Sequence, residues 1–285
     1  MISKASLDYY HENGYLILNP GSDDTLWEAI NCLSKNFDVS SENAYFKNAR
    51  GLGRQQINVV RNDPKVFESI TNSDTIKEIA STLIKSRFVQ VQQSKLSYKI
   101  PCEITDWYPH QDNGYKCISD KREGLALFVC LEDMNEQNGA LGVYPKSHLL
   151  GPLKHRRVVE DSKSLSSQMV VDPLPADLTL KTLSMRKGCV LAFHANTIHT
   201  SGPNLNHNSL RLALIFELEG REDLTLDDYG LPPILVKGKP SFPGFLLVQI
   251  KSLFSMRNIF WKMESLGFIK PLRRITHKLR VVNER

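Results

Sequence analysis

The residues best suited to chemistry stand in the segment 107–112, which contains the triplet His110-Gln111-Asp112. Residues i and i+2 of a β-strand project to the same face, so on a strand the imidazole of His110 and the carboxylate of Asp112 lie side by side. Such a pair can hold one divalent metal ion. His199, which comes just after another predicted strand, is the natural third ligand. Two histidines and one carboxylate leave three positions of an octahedral ion open, and this ligand set suits non-haem iron(II) and oxygen chemistry.

The triplet alone is weak evidence for a metal site, because a chain with 8 histidines and 31 acidic residues is expected to contain a His-x-acid pair by chance. The alternative interpretation is a surface pair on a turn. Arg211 favours the site, since it opens a predicted strand 12 residues beyond His199, and a buried guanidinium there would bind a carboxylate through two parallel hydrogen bonds. On its own, however, Arg211 is also explained as an edge residue that pairs with Glu217 or Glu219.

Two further functions would use the same residues. A zinc ion held by two histidines and a carboxylate catalyses hydrolysis in many proteins, and a binding or regulatory protein can keep such a triad without turnover. A hydrolase, however, has no need of a carboxylate-binding arginine 12 residues beyond its last ligand. Arg211 therefore favours the iron site over a zinc site.

The elements that must position these residues are mainly β-strands. Glycine-, asparagine- and proline-rich loops separate the predicted strands, and the βαβ alternation and glycine motifs of nucleotide-binding folds are absent. This pattern predicts a mainly β fold with flanking helices, arranged as an antiparallel sandwich or jelly roll. Apolar periodicity predicts helices at 6–11, 22–33 and 73–86, a short strand at 14–18, and longer strands at 87–99, 124–131, 185–195 and 210–218.

Composition indicates an ordinary globular protein. The chain has 285 residues, of which 41% are apolar, and this is enough for one large core. No apolar run approaches the ~20 residues of a membrane span, and Asp8 and Glu12 stand where a signal peptide would be apolar. The five cysteines are odd in number and form no C-x-x-C pair, so we expect reduced thiols and a cytoplasmic protein.

The positive charge is concentrated at the end of the chain. Residues 270–285 hold six basic residues against one acidic residue, which accounts for the whole net charge of +5. The rest is near neutral, so a nucleic-acid partner is not expected. We therefore divide the chain into a domain at 1–235 and a basic helical extension at 236–285, with an amphipathic helix at 245–261. This extension packs on the domain or on a second subunit, contacts an anionic membrane, or is a disordered end.

Taken together, these residues resemble the phytanoyl-CoA dioxygenase family of iron(II)- and 2-oxoglutarate-dependent oxygenases. The resemblance extends from about Asp8 to about Glu219. It is strongest at the HQD triplet of 110–112, at NGALGVYPKSH of 138–148, at the HTSGPN string of 199–204 and at Arg211. The order and spacing of these motifs make the resemblance specific.

The resemblance implies a fold and a role for each matching residue. The fold is a double-stranded β-helix, the cupin-like form of the jelly roll. Iron is held by His110, Asp112 and His199. The 2-oxoglutarate co-substrate is held by Arg211, which binds its far carboxylate, and by Ser201 and Lys99. The substrate side is lined by Gln111 and Tyr115, and strand alternation adds Gln93, which shares a face with Ser97.

The implied activity is oxidation of a C–H bond with O2, which converts 2-oxoglutarate to succinate and CO2. Asp112 favours hydroxylation, or a related desaturation or ring closure, because halogenating relatives lack this carboxylate. The three metal ligands, Arg211 and Ser201 are all present, which argues against a catalytically silent protein. We expect a small specialised metabolite as substrate, selected by the loops 113–124 and 151–182, in a monomer or homodimer. An acyl-CoA or lipid hydroxylase that uses the basic tail at a membrane is the alternative.

Overall fold

The computed structural model describes most of the chain up to residue 221. The described residues are 2–19, 21, 23–37, 55–57, 69, 73–86, 88–115, 124–158 and 168–221. The extension predicted at 236–285, with its helix at 245–261, lies outside them, so its packing stays a prediction. Among the helices of the described ranges, none has the length and apolar character that crossing a bilayer requires.

The described residues of the N-terminal part form three α-helices: α1 (Lys4–Asn13), α2 (Asp24–Lys35) and α3 (Asp74–Leu83). Ser73 is the N-cap of α3, since its Oγ accepts a hydrogen bond from Ile76 N at 3.1 Å. Asp23 caps α2 by accepting from Leu26 N at 3.0 Å. Its second carboxylate oxygen accepts from Ser73 Oγ and Thr75 N. One carboxylate thus joins the starts of two helices.

Within the ranges that the structure describes, twelve strands form two sheets and a hairpin, and every pairing is antiparallel. In spatial order, the six-stranded sheet contains β1 (Tyr15–Leu18), β10 (Val190–His194), β5 (Gly124–Cys130), β12 (Arg211–Arg221), β3 (Phe88–Lys99) and β2 (Gln55–Ile57). The four-stranded sheet contains β4 (Trp107–His110), β11 (His199–Ser201), β6 (Leu141–Val143) and β9 (Lys181–Thr182). The hairpin contains β7 (His155–Arg157) and β8 (Met169–Val171).

The helices pack on the outer face of the six-stranded sheet. Leu26 and Ile30 of α2, and Ile76 and Ile79 of α3, form one buried cluster with strand residues such as Leu127. Each such side chain contributes about 1.5–3 kcal/mol to stability when it is fully buried. The helical periodicity of these apolar residues therefore decides which face of each helix meets the sheet.

The inner face of the six-stranded sheet packs against the four-stranded sheet. Phe128, Leu191 and Phe193 of the larger sheet form a second buried cluster with Leu141 and Val143 of the smaller one. Two antiparallel sheets that enclose a common core, with helices on the outside, are the architecture that the sequence predicts, so the mainly β, jelly-roll fold class is confirmed.

The backbone around the HQD triplet differs from the prediction. The strand does not continue through the triplet: β4 ends at His110, and Asp112 begins a 3-10 turn at Asp112–Gly114. The turn is closed by Tyr115 N, which donates to Asp112 O at 3.1 Å. Asn113 and Gly114 are residues that favour turns, which explains why the strand stops. His199, which follows the predicted strand at 185–195, begins a further short strand, β11.

Candidate metal centre

Three side chains converge where β4 and β11 meet. His110 ends β4, Asp112 begins the following turn, and His199 begins β11 directly opposite His110 in the register of the two strands. The candidate ligand atoms of these three residues lie within 4.8 Å of one another. His199 Nε2 is 3.7 Å from Asp112 Oδ1, and the two imidazole centroids are 4.2 Å apart. The turn therefore brings Asp112 to the place that a continuous strand was expected to provide.

The backbone orients both imidazole rings. His110 Nδ1 lies 2.6 Å from Tyr108 O, and His199 Nδ1 lies 3.0 Å from Thr197 O. A carbonyl accepts only from a protonated nitrogen, so each Nδ1 carries a hydrogen and Nε2 is the nitrogen of each ring that is left to bind a metal. Burial lowers the pKa of His110 well below its usual value, and electrostatic repulsion from the neighbouring His199 lowers it further, so the ring is neutral.

The donor set fits a divalent metal ion. His110 and His199 are 7% and 5% exposed, and two neutral imidazoles with one carboxylate in a facial arrangement are the ligands of non-haem iron(II) sites that keep open positions. Zinc accepts the same donors. The three ligands alone therefore define a metal centre and do not choose its metal.

Arg211 supplies a buried positive charge beside this centre. It is 2% exposed, and its Nη1 donates to Ser97 O at 3.2 Å and to Ser97 Oγ at 3.1 Å. Among the described residues, its Nε has no hydrogen-bond partner and no carboxylate lies within ion-pair distance. Burial lowers the pKa of Arg211 to about 10, so the group stays charged at neutral pH. A buried cation of this kind is suited to binding an anion.

The alternative placement of Arg211 at a sheet edge is wrong. Its strand, β12, lies between β5 and β3 in the middle of the six-stranded sheet. Glu217 pairs with Lys95 instead, at 2.6 Å. Glu217 and Glu219 stand six and eight residues further along the strand, and six residues of strand span about 20 Å, beyond the reach of a side-chain pair.

Ser201 connects the arginine to the metal centre. Its Oγ lies 3.5 Å from Arg211 Nη2 and donates to Gly139 O at 2.9 Å. Ser201 is two residues beyond His199 on the same strand, so both side chains project to one face. The Phe128 ring lies 6.0 Å from the guanidinium and forms the apolar wall beneath it. The candidate ligands of the four-stranded sheet and the buried cation of the six-stranded sheet thus meet at Ser201.

Lys99 does not point where the resemblance implies. Its side chain is fully buried, and its Nζ donates to Thr105 O at 3.1 Å, to Ser201 O at 3.0 Å and to Gly202 O. An ammonium group has three hydrogens, and three backbone carbonyls already accept them. The geometry favours a structural role that holds the chain at 201–202, and contact of Lys99 with a co-substrate is not supported.

Gln111 also differs from its expected role on the substrate side. It is fully buried, its Nε2 donates to Gly151 O at 2.9 Å and to Asn196 O at 2.7 Å, and its Oε1 accepts from Leu153 N at 2.8 Å. Gln111 lies between the end of β4 and the 3-10 turn, and its side chain projects toward residues 151–153 and 196. Gln111 therefore contacts backbone behind the metal centre.

Tyr115 and Gln93 are the other two residues that were predicted to line the substrate side. Tyr115 is 42% exposed, its ring centroid lies 5.3 Å from that of His110, and its hydroxyl accepts from Met169 N at 2.9 Å. Gln93 is half-buried and stands opposite Glu217 in the register of β3 and β12. Their contact with substrate stays a prediction.

The sequence analysis missed an ion pair near the centre. Lys95 lies on the same face of β3 as Ser97, and its Nζ is 2.6 Å from Glu217 Oε1, with both side chains largely buried. Burial alone would lower the pKa of Lys95, but the charges of Glu217 and Asp112 outweigh burial and raise it. The ammonium is therefore charged and close to a metal-ligand candidate. The signal was present in the alternation of β3, whose inward positions are Gln93, Lys95, Ser97 and Lys99.

Comparison with known sequences agrees with this geometry. The family model described as phytanoyl-CoA dioxygenase (PhyH) matches residues 10–212. The chain is 25% identical over 243 residues to a phytanoyl-CoA dioxygenase of Arabidopsis thaliana, covering 71% of this chain and 84% of that protein. It is 29% identical over 158 residues to phytanoyl-CoA dioxygenase domain-containing protein 1 of Mus musculus. That match covers 55% of this chain and spans about half of the mouse protein (54%).

A solved structure shows the same fold. EvdO2 from Micromonospora carbonacea var. aurantiaca, crystallised with 2-oxoglutarate, superimposes with a TM-score of 0.59 at 19% sequence identity. The superposition covers 78% of this chain and 92% of that one. The family match extends over most of the chain, and its motifs fall on the residues that converge at the metal centre. The chain therefore belongs to the phytanoyl-CoA dioxygenase family.

Proposed function

We propose that this protein is an iron(II)- and 2-oxoglutarate-dependent oxygenase that hydroxylates, or otherwise oxidises, an unactivated C–H bond of a small polar molecule. The observation that carries the proposal is a metal centre of two histidines and one carboxylate next to a buried arginine without a carboxylate partner among the described residues. Hydrolysis at a zinc centre would use the three metal ligands but would not require the buried Arg211.

Each residue has a defined share in this function. His110, Asp112 and His199 would hold the iron, while Arg211 and Ser201 would hold the far carboxylate of 2-oxoglutarate. When bound, iron and 2-oxoglutarate supply the oxidising chemistry, in which O2 is consumed and succinate and CO2 are released. The protein contributes geometry, charge and exclusion of water. The apolar wall around Phe128 and Phe193 serves the last of these.

Lys95 is the cation that we assign to the reacting end of the site, in place of Lys99. Its ammonium lies close enough to Asp112 for that carboxylate to raise its pKa. Glu217 accepts one of its three hydrogens, which leaves hydrogens for an anionic oxygen beside the metal. Lys95 would thereby balance the negative charge that a carboxylate ligand and a bound acid bring together.

The same ion pair supports a polar substrate. Lys95 and Glu217 are 16% and 8% exposed at their side chains, and separating or covering a buried ion pair is costly unless its hydrogen bonds are met. A hydrocarbon chain lying against this pair would offer no such bonds. The pair therefore favours a molecule with oxygen or nitrogen groups near the oxidised carbon over a fatty acyl chain. A specialised metabolite fits this description, and a cytoplasmic location and a monomer or homodimer stay predictions.

Metal-dependent succinate formation tests the function. The metal-free full-length chain is supplied with 2-oxoglutarate, O2 and either iron(II) or zinc(II), with panels of polar metabolites and of acyl-CoA thioesters. Succinate is expected with iron(II) and not with zinc(II). Its rate of formation is expected to increase when a member of the polar panel is added. His207→Ala, which changes an exposed histidine, is the matched control for His110→Ala, which should form none. Hydrolysis with zinc(II), or binding of 2-oxoglutarate without any succinate, would contradict the proposal.

A further inference from the structure

The side chain of Gln111 joins three parts of the chain behind the metal centre. Its amide nitrogen donates to Gly151 O and Asn196 O, and its oxygen accepts from Leu153 N. Every hydrogen-bonding group of the fully buried amide except one acceptor position is thus used. One of these partners precedes His199 by three residues, and the other two lead into the β7–β8 hairpin.

The backbone of the same residue contacts that hairpin a second time. Gln111 N donates to His155 Nε2 at 3.0 Å, and His155 Nδ1 lies 2.9 Å from Leu153 O. The His155 ring lies so close to Gly114 that a β-carbon on this glycine would approach its atoms to 2.5 Å. The ring therefore packs directly on the turn that carries Asp112.

Three more hydrogen bonds connect β8, and Gln168 directly before it, to the segment 106–115. Tyr115 Oη accepts from Met169 N at 2.9 Å. Gln168 Oε1 accepts from Tyr108 N at 2.9 Å, and its Nε2 donates to Asp106 O at 2.9 Å. The segment 106–115, which contains His110 and Asp112, is thus hydrogen-bonded to both strands of the hairpin.

We infer that Gln111 is a positioning residue that couples the order of the β7–β8 hairpin to the occupancy of the metal centre. A bound metal fixes the side chains on either side of Gln111, and the buried amide transmits this constraint to residues 151–153 and 196. In the opposite direction, an ordered hairpin holds His110, Asp112 and His199 in the geometry that a metal requires. The inference rests on the proposed function only in requiring that the triad binds a metal.

Hydrogen exchange with and without metal tests the coupling. Cobalt(II) is the probe, because its absorption spectrum reports the coordination geometry, and exchange is followed in peptides that contain Leu153 and Met169. In the wild-type chain, cobalt(II) is expected to slow exchange at both positions. In Gln111→Met, which keeps the side-chain volume but removes the amide, cobalt(II) affinity is expected to fall by about tenfold or more, as for other residues that orient metal ligands. The hairpin amides of this variant should no longer respond to the metal.

Asn204→Leu is the matched control, since Asn204 is also fully buried and bonds in the same pattern. Its Nδ2 donates to Lys99 O at 3.1 Å and Ser209 O at 2.8 Å, and its Oδ1 accepts from Asn206 N at 3.0 Å. This variant should lose stability but keep the wild-type cobalt spectrum and the metal response of the hairpin. A purely structural role for Gln111 predicts that the two variants behave alike.

Three outcomes would overturn the inference. One is wild-type cobalt affinity and an unchanged hairpin response in Gln111→Met. Another is equal loss of the cobalt spectrum in Asn204→Leu. The third is a wild-type hairpin whose amides exchange at the same rate with and without cobalt(II). This third test needs only the wild-type chain, so it can be made even if Gln111→Met fails to fold. Failure of the wild-type chain to bind cobalt(II) at all would instead contradict the proposed function.

Discussion

Arg211 Nη2 lies 3.5 Å from Ser201 Oγ, and Ser201 stands two residues beyond the metal-ligand candidate His199 on β11. Arg211 itself lies on β12 of the six-stranded sheet, whereas β11 belongs to the four-stranded sheet, so the arginine and the candidate metal ligands approach each other from two packed sheets. The distance between them is set by the packing of the two sheets, which share a buried cluster that includes Phe128 and Val143. A co-substrate that chelates a metal with one end and carries a carboxylate at the other would span these two groups.

Replacing Arg211 by alanine is expected to weaken 2-oxoglutarate binding by about two orders of magnitude or more, because a charge-assisted bidentate contact in a buried site is lost. Ser201→Ala should cost about tenfold or less, since it removes a single neutral hydrogen bond. The measurement is a titration of the anaerobic iron(II) protein with 2-oxoglutarate. Equal affinity in wild type and Arg211→Ala would show that the carboxylate binds elsewhere.

Replacing Asp112 by alanine is expected to abolish iron-dependent succinate formation, because two imidazoles alone hold iron(II) weakly and leave its charge uncompensated. Iron content and succinate are measured on the same preparation. Asp177→Ala, which changes an exposed carboxylate, serves as the control and should behave as wild type. Normal turnover in Asp112→Ala would count decisively against the assigned ligands.

Changing Lys95 alone and together with Glu217 should separate stability from activity. Lys95→Met leaves a buried carboxylate without its ammonium partner and is expected to destabilise the fold by about 3–5 kcal/mol. The double variant Lys95→Met/Glu217→Leu should recover most of that stability, since a buried pair replaced by apolar groups is often neutral. It should not recover succinate formation. Denaturant unfolding gives the first quantity, and recovery of activity in the double variant would remove Lys95 from the site.

Stability at acid pH should depend on Asp23. Burial by itself raises the pKa of this carboxyl, but hydrogen bonds from Thr25, Thr75, Ser73 and Leu26 outweigh burial and hold the pKa well below its usual value. A depressed folded-state pKa adds stability above the unfolded-state pKa of about 3.9, and this stability is lost as pH falls further. The advantage of wild type over Asp23→Asn in urea unfolding should therefore be full at neutral pH and shrink below about pH 4. An advantage that stays constant down to pH 3 would contradict this assignment.

Much of the fold follows from local patterns. The apolar spacing of α3 and its cap at Ser73, and the strands that became β3, β5, β10 and β12, are readable because burial imposes a period of 3.6 or 2 on the residues themselves. The metal centre was predictable for a related reason, since its ligands are short, stiff side chains whose direction follows the backbone. The strand was expected to continue through Asp112, but Asn113 and Gly114 form a turn instead, and the triad still converges.

By itself, the sequence determined the β-rich fold class, the three candidate metal ligands and the inward arginine on β12. Only the tertiary structure decided the partners of the long polar side chains: Lys95 pairs with Glu217, while Lys99 and Gln111 bind backbone carbonyls. The reason is physical. A strand's alternation depends on neighbours in the chain, whereas the partner of a lysine or glutamine is whichever group, from any part of the chain, the folded protein brings within about 3 Å of its tip.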